Sequence, residues 1–509
     1  MTALRRASPA AISFWCGLSS LSLEILWVRF FGHAHLTSPK AFGFVLCAFL
    51  AGVAVGAALG RRLCARDADD APRLWLAMAA CLLLSALSAV VLPIAYAVSG
   101  DLVDTRVTGF ACIAWTAATL AFCFPIAHHL GAQGEAQGQG RRFASVYVSN
   151  VAGSALGPLL VGYVLLEQLT VQEAFACVAL MQAVAAIGAA AIGWPRLTPA
   201  RAAVGAAGLV ATLAALWLAP ADPHWLVQAV RESERPAKAV YENRHGVVSI
   251  VDTGYGGDTV YGGNVYDGRT NTNPLVNSNG LHRLTIMSVL QPRPQRVLLV
   301  GASIGSWLDV VLHFPGVEHV DVIEINPAYR VAAQPYPEQR AAWAEPRVTV
   351  HIDDGRRWLR LHPQAKWDLI VMNTTYHWRS NSTLLLSREF HEVLKSRLNA
   401  QGVLCFNATG SLDALYTASR VYAHAYSYEN FVYTADHDFR AAKDQPGALE
   451  VMTRGLAEPG PAAARERILR GYLAIPFVSY DEARRSSGRD GELITDDNMI
   501  TEFRYGRPF

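Results

Sequence analysis

The residues best placed for chemistry lie where short apolar runs end in the second half of the chain. Val297 to Val300 runs into Gly301-Ala302-Ser303-Ile304-Gly305. Glycines at that spacing allow a tight turn and let a ligand approach the backbone of Gly301, Ser303 and Gly305 closely. The next apolar run, His319 to Asn326, carries Glu324 about 20 residues after the turn, where an acid accepts both hydroxyls of a ribose. A third run, Arg347 to Ile352, ends at Asp353-Asp354-Gly355, and a fourth, Trp367 to Met372, ends at Asn373. The chemistry indicated is the holding of a nucleoside, and an adenosyl cofactor fits it. Each group also has a plain structural reading: a left-handed turn for the glycines, a surface acid for Glu324, a helix N-cap for Asp354 ahead of Arg356-Arg357-Trp358-Leu359.

After the fourth run the chain reads Asn373-Thr374-Thr375-Tyr376-His377-Trp378-Arg379. His377 has the chemistry of a general base, and Tyr376 or Asn373 could orient a reacting group. An aromatic loop at a strand's C-terminal end also suits a sulfonium, through cation–π contact. Loop and packing roles are the alternative for all three.

These groups need a scaffold that brings strand ends together. Strand, glycine-rich turn and helix, with Trp307, Leu308, Val311 and Leu312 on one helical face, is the first unit of a doubly wound α/β fold. Such folds bind ligands at the C-terminal ends of their strands. Upstream, residues 240–285 read as short strands and turns, with Tyr266-Asp267-Gly268 as a turn signal.

The rest of the chain is different in kind. Of 509 residues, 52% are hydrophobic and 17% charged, and the apolar excess lies before about residue 220. A membrane span takes about 20 apolar residues. Candidates fall at 10–31, 39–60, 73–99, 107–130, 145–166, 171–194 and 202–220, about seven spans. The domain plan is therefore 1–220 transmembrane helices, 221–285 linker and small β-domain, and 286–509 cofactor domain. Gly52 with Gly56, and Gly153 with Gly157, are spaced to form close packing faces between helices. Glu24 and Arg29 sit inside the first span, where they are expected to pair with each other or where Arg29 reaches the interface. Asn150 is expected to cap or to bond between helices.

A net charge of +2 gives no nucleic-acid footprint. Seven of the eight cysteines lie in the apolar half and only Cys405 beyond it, with no Cys/His ligand spacing, so no metal site is expected. The arginines at 5, 6, 61, 62, 66, 73, 141, 142, 196 and 201 fall on alternate loops, which puts the N-terminus in the cytoplasm. Seven spans would then place the C-terminal domain outside, whereas a cofactor made in the cytosol favours the inside. The reading leans to the cytoplasm.

GASIG, VIEINP, DDGRRWL, and WDLIV followed by SREFHEVLKSRLNAQGVL resemble the spermidine synthase family of aminopropyltransferases, over about residues 240–435. The apolar half resembles the region fused to such domains in bacterial transmembrane spermidine synthase-like proteins. ITDDNMITEF near the end resembles their terminal segment, with Asp496 and Asp497 expected as turn formers or caps. The resemblance implies a Rossmann-like domain of the class I methyltransferase/spermidine synthase type with a small N-terminal β-domain, in a bacterial inner membrane. It implies S-adenosylmethionine, or its decarboxylated form, as substrate. Gly301 and Gly305 would shape the methionine-tail pocket, Glu324 would hold the ribose and Asp354 the adenine amino group. Asn271 stands near the place of a family glutamine beside the donor, followed by Asn273, Asn277 and Asn279.

Three family acids are replaced. The acid of the glycine motif is Ile304 here, and the two of the motif after the fourth strand are Asn373 and Tyr376. An unpaired buried ammonium costs several kcal/mol, so a diamine is expected to fit poorly. A donor that keeps its carboxylate fits better, with Arg379 able to clamp it. Four readings follow. The first is attack on the propyl-chain carbon of adenosylmethionine with release of methylthioadenosine, by cyclisation to a homoserine lactone. The second is aminopropyl transfer to make a polyamine. The third is methyl transfer. The fourth is a non-catalytic transporter or sensor that binds the cofactor. The expected partners are the lipid membrane and a small-molecule substrate, with homo-oligomerisation left open.

Overall fold

The computed structural model describes residues 2–100, 103–133, 139–193, 198–373 and 376–504. Arg196 and the Thr374-Thr375 step lie outside them. The chain divides into two compact units. One comprises Met1–His35, Lys40–Glu232 and Glu242–Arg244, the other Leu36–Pro39, Ser233–Tyr241 and His245–Phe509.

The first unit is helical. Among the described residues, six helices are long and apolar enough to cross a membrane: Ser8–Ala34, Pro39–Arg66, Ala71–Val98, Thr105–Ala132, Gly140–Gln168 and Val171–Gly193. The seventh candidate, 202–220, falls in the helix Pro199–Leu218, in which Gly205–Leu218 is apolar. The glycine faces serve close packing. A Cβ on Gly52 would lie 2.1 Å from the Ala114 carbonyl oxygen, and one on Gly153 would lie 2.0 Å from that of Phe14. Asn150 Nδ2 donates to Ser13 O at 2.9 Å, tying two helices together. Arg29 does not pair with Glu24. Five residues of helix turn the two side chains to different faces, and Arg29 Nη2 donates to Asn243 O at 2.7 Å.

The second unit holds two sheets. The smaller has four strands in sequence order: β1 (Ala237–Asn243), β2 (Gly246–Val251), β3 (Thr259–Gly262) and β4 (Val265–Arg269). The larger is built from β5 (Arg296–Val300), β6 (His319–Glu324), β7 (Val348–Ile352), β8 (Trp367–Met372), β9 (Leu398–Asn407), β10 (His424–Tyr428), β11 (Phe431–Ala435) and β12 (Val478–Ser479). Its order is β12-β10-β11-β9-β8-β5-β6-β7. Strands β7, β6, β5, β8 and β9 are parallel, while β11, β10 and β12 continue antiparallel.

Alternation along β5 explains its double burial. Val297 and Leu299 enter one apolar core, and Leu298 and Val300 enter the other. The chain order reverses between β5 and β8. That switch point opens a crevice at the strands' C-terminal ends, where an open α/β sheet accepts a ligand.

Candidate active site

The turn after β5 has the backbone that its residues suggest. Gly301, Ser303 and Gly305 have φ of 77°, 51° and 99°. A Cβ on Gly305 would lie 2.5 Å from Trp343 Nε1, which itself donates to Ile304 O at 3.0 Å. The turn therefore needs glycine for both its conformation and its packing. Ile304 points away from the crevice into the core and is only 2% exposed.

Glu324 ends β6 directly beside this turn. Its Oε2 accepts the backbone N–H groups of Ala302 at 2.9 Å and Ser303 at 3.2 Å, and its Oε1 accepts that of Asn326 at 3.0 Å. Burial pushes its carboxyl up to about 7, the N–H bonds from Asn326 and Ala302 opposing the rise and the Asp267 charge adding to it. Asp353 follows at the end of β7, its N–H bonded to Glu324 O at 3.2 Å. Its carboxylate accepts from Arg357 Nη1 at 2.7 Å. Asp354 is exposed and caps the next helix, Oδ1 accepting Arg357 N at 2.7 Å. That cap uses one oxygen, so capping and contact with a nucleobase are compatible.

Beside the turn lies a cavity of about 420 Å³. Trp307 from the helix after β5, Asn373 from β8, Asn407 from β9, and Tyr266 and Asp267 from β4 line it. Tyr376 also lines it, held at φ 55° with its ring 5.0 Å from that of Trp378. Asn373 Oδ1 meets Asn407 Nδ2 across a long 3.5 Å contact.

His377, Arg379, Asn271 and Asn273 are not among the described residues that line the cavity. His377 is 8% exposed. Burial lowers its pKa, against the Asp413 charge and a bond to the Ala408 backbone. Arg379 Nη2 donates to Gly262 O at 3.0 Å, at the end of β3. Asn271 closes a local turn, accepting Asn273 N at 3.2 Å and donating to Asn273 O at 3.1 Å. Asn273, Asn277 and Asn279 likewise bond backbone groups of Leu275, His282 and Arg269, and of these Asn277 and Asn279 line the cavity.

The cavity holds four ionisable groups that the sequence reading passed over. Asp267 was visible only as part of a turn signal; its Oδ2 accepts the Tyr329 hydroxyl at 2.6 Å. Glu429 sits in the two-residue turn between β10 and β11, where an acid looks like solvent-facing hairpin chemistry. It accepts from His282 Nε2 at 2.7 Å and Arg283 Nε at 3.2 Å. Burial works to raise the Glu429 carboxyl, but the His282 and Arg283 contacts outweigh it and hold it below the ordinary range. Burial lowers His282 in spite of Glu429. Among the described residues no group of three or more His, Cys, Asp or Glu side chains is arranged to hold a metal.

Fold and site thus define a doubly wound α/β domain, with the acid and glycine turn at the end of β5 and β6 and a mixed-charge cavity beside them. The family described as the spermine/spermidine synthase domain matches residues 284–432, so that stretch is a spermidine synthase-like domain. Spermine synthase of Arabidopsis thaliana is 32% identical over 113 residues, 22% of this chain and 31% of that protein. Putrescine N-methyltransferase 3 of Nicotiana tabacum is 29% identical over 118 residues, 23% of this chain and 31% of that protein. The chain thus spans about a third of the length of these curated relatives. The spermidine synthase structure from Thermotoga maritima aligns with a TM-score of 0.39 and 16% identity, over 50% of this chain and 87% of that one.

Proposed function

We propose that the chain uses S-adenosylmethionine and breaks the bond between its sulfonium sulfur and the propyl-chain carbon, releasing methylthioadenosine. The observation that carries this is the charge of the cavity. Asp267 and Glu429 share it with Arg283, whose Nε alone is spent on Glu429. A donor tail that keeps both its ammonium and its carboxylate matches carboxylates and a guanidinium together. Glu324 would hold the ribose, and Asp354 would face the adenine.

With the tail held there, its own carboxylate oxygen can attack the carbon attached to sulfur. The C–O bond forms as the C–S bond breaks, and sulfur leaves as a neutral thioether with the electron pair. Products are the lactone of homoserine and methylthioadenosine. No proton has to be removed, which agrees with the absence of His377 from the cavity lining. Proximity supplies much of the rate in such a ring closure.

A second reading has its own support. Two carboxylates in the cavity also suit an amine acceptor, so aminopropyl transfer from the decarboxylated donor follows the family most directly. Mass spectrometry of products from detergent-purified protein separates the readings. Methylthioadenosine from adenosylmethionine alone supports cyclisation. Its formation only with decarboxylated donor and an amine supports aminopropyl transfer. Adenosylhomocysteine would indicate methyl transfer.

We further infer an integral membrane protein with the N-terminus and the C-terminal domain on the cytoplasmic side. Six spans return a chain to its starting side, and Arg61, Arg62 and Arg66 after the second span mark that side as inside. Alkaline phosphatase activity from a C-terminal fusion would refute this.

A further inference from the structure

The ITDDNMITEF segment does more than end the chain. Ile494 O accepts the N–H of Arg388 at 2.9 Å, and Asp496 N donates to Glu389 Oε2 at 3.1 Å, so the segment is laid across the start of the helix Arg388–Ser396. From there two of its three acids, Asp496 and Glu502, reach the wall of the candidate site. Asp496 Oδ1 accepts from Ser387 Oγ at 2.7 Å and from Arg356 Nη1 at 2.6 Å, and Arg356 Nη2 meets the other carboxylate oxygen. Glu502 is fully buried and accepts the backbone N–H of Thr383 at 2.8 Å.

Arg356 is the hub. It lies two residues after Asp354 in the helix Gly355–Leu361, and its side chain is 9% exposed. The same Nη1 that meets Asp496 donates to Leu384 O at 2.9 Å. One guanidinium therefore joins the strand end expected at the adenine to the segment that follows Tyr376 and His377. That segment is closed on itself by Ser382 Oγ donating to His377 O at 2.6 Å. The pair is only part-buried, the Asp496 side chain being 33% exposed, so it adds little to stability, and its geometric role is to hold one arrangement.

We propose that residues 494–502 form a positioning strap. Asp496, through Arg356 and Ser387, and Glu502, through Thr383, set the 376–387 wall that carries Tyr376 against the helix beginning at Asp354. Neither acid lines the cavity, so both are positioning residues. The turnover arm of the test rests on the donor reading above; the other two arms do not.

The test uses full-length, detergent-purified Asp496→Asn and Glu502→Gln, the second keeping the question open to refutation where the first fails to fold. Three quantities are read: methylthioadenosine formation, adenosylmethionine affinity by calorimetry, and hydrogen exchange across the domain. A misplaced wall predicts turnover lowered by about 10²-fold with affinity kept within about 3-fold. Exchange should quicken over 376–387 while β5 and β6 keep their protection. Unchanged exchange over 376–387 would overturn the proposal. So would loss of affinity in step with turnover, accompanied by faster exchange through the whole domain, since that marks a plain structural staple. A wild-type protein that forms no methylthioadenosine sinks the donor reading alone, and the strap is then judged on affinity and exchange.

Discussion

Glu324 Oε2 accepts the backbone N–H of Ala302 at 2.9 Å, so the acid proposed to hold a ribose already holds the glycine-rich turn. Turn and acid are one unit: the carboxylate organises the N–H groups beside which the ligand must sit. Their coupling gives the site its pH dependence.

Burial lifts the Glu324 carboxyl from the ordinary 4.5 to about 7. Ribose hydroxyls donate to the ionised form, so adenosyl affinity should rise with pH through about 7 and then level. Below that it should fall by up to about tenfold per pH unit. The folded state holds this proton more tightly than the unfolded chain does. The stability it contributes is therefore present below pH 4.5 and lost as pH rises through about 7. Calorimetry across that range checks the first sign and thermal unfolding the second. Glu324→Gln should flatten both profiles and weaken binding by roughly 10- to 100-fold, the worth of a charge-assisted bond pair.

Ile304 stands where the family has an acid that meets the donor's amine, yet its side chain is 2% exposed in the core. Ile304→Asp should therefore cost about 3 kcal/mol or more by burying a carboxylate among apolar groups. It should not improve binding of the decarboxylated donor. Chemical denaturation and donor titration together decide this, and a stable variant with tighter binding of that donor would contradict it.

The strand ends, the glycine turn and Glu324 were legible because their signal is local: an apolar run, a special residue at its end, then a helical period. The mixed charge of the cavity was not. Asp267 comes from β4, Arg283 from the helical segment after the small sheet, and Glu429 from a hairpin turn 162 residues after Asp267. Only the sheet order brings them together, and each reads locally as a turn or surface charge. Ile304, Asn373 and Tyr376 carry no acid, but carboxylates from other elements, Asp267 and Glu429, line the same cavity as Asn373 and Tyr376. His377 differs in the opposite way: tertiary packing, which local sequence does not show, buries it outside the cavity lining.

Gly305→Ala combines two penalties. The position has φ 99°, and the new methyl would lie 2.5 Å from Trp343 Nε1. A loss of about 2–4 kcal/mol is expected from backbone strain and overpacking. Displacing Trp343 also shifts the turn that Glu324 holds, so adenosyl affinity should fall with stability. Gly410→Ala is the comparison, having φ 73° with nothing within 4 Å of the added carbon. It should show the strain alone, and equal effects at the two sites would remove packing from the account.

In the helical unit the prediction turns on backbone approach. A Cβ at Gly56 would lie 2.1 Å from Ala118 O, whereas one at Gly188 meets nothing within 4 Å. Gly56→Val should force two helices apart and cost roughly 2 kcal/mol or more. Gly188→Val should be tolerated. Thermal unfolding of the full-length protein in detergent measures both.

Arg283 decides between donors. Its Nε holds Glu429 at 3.2 Å, and its guanidinium lies over the Phe431 ring with the carbon 5.4 Å from the centroid. Arg283→Leu leaves Glu429 bonded to His282, so no carboxylate is orphaned. What the variant loses is the cavity's guanidinium, while Asp267 and Glu429 remain. Adenosylmethionine should then bind about 10- to 100-fold more weakly, the worth of one charge-assisted contact. The decarboxylated donor, with an ammonium and no carboxylate, should hold its affinity or gain. Competition between the two donors on wild type and variant reads the ratio directly. If the wild type prefers the decarboxylated donor and Arg283→Leu leaves that preference unchanged, the tail carboxylate is not read at this cavity. Aminopropyl transfer would then take the place of cyclisation.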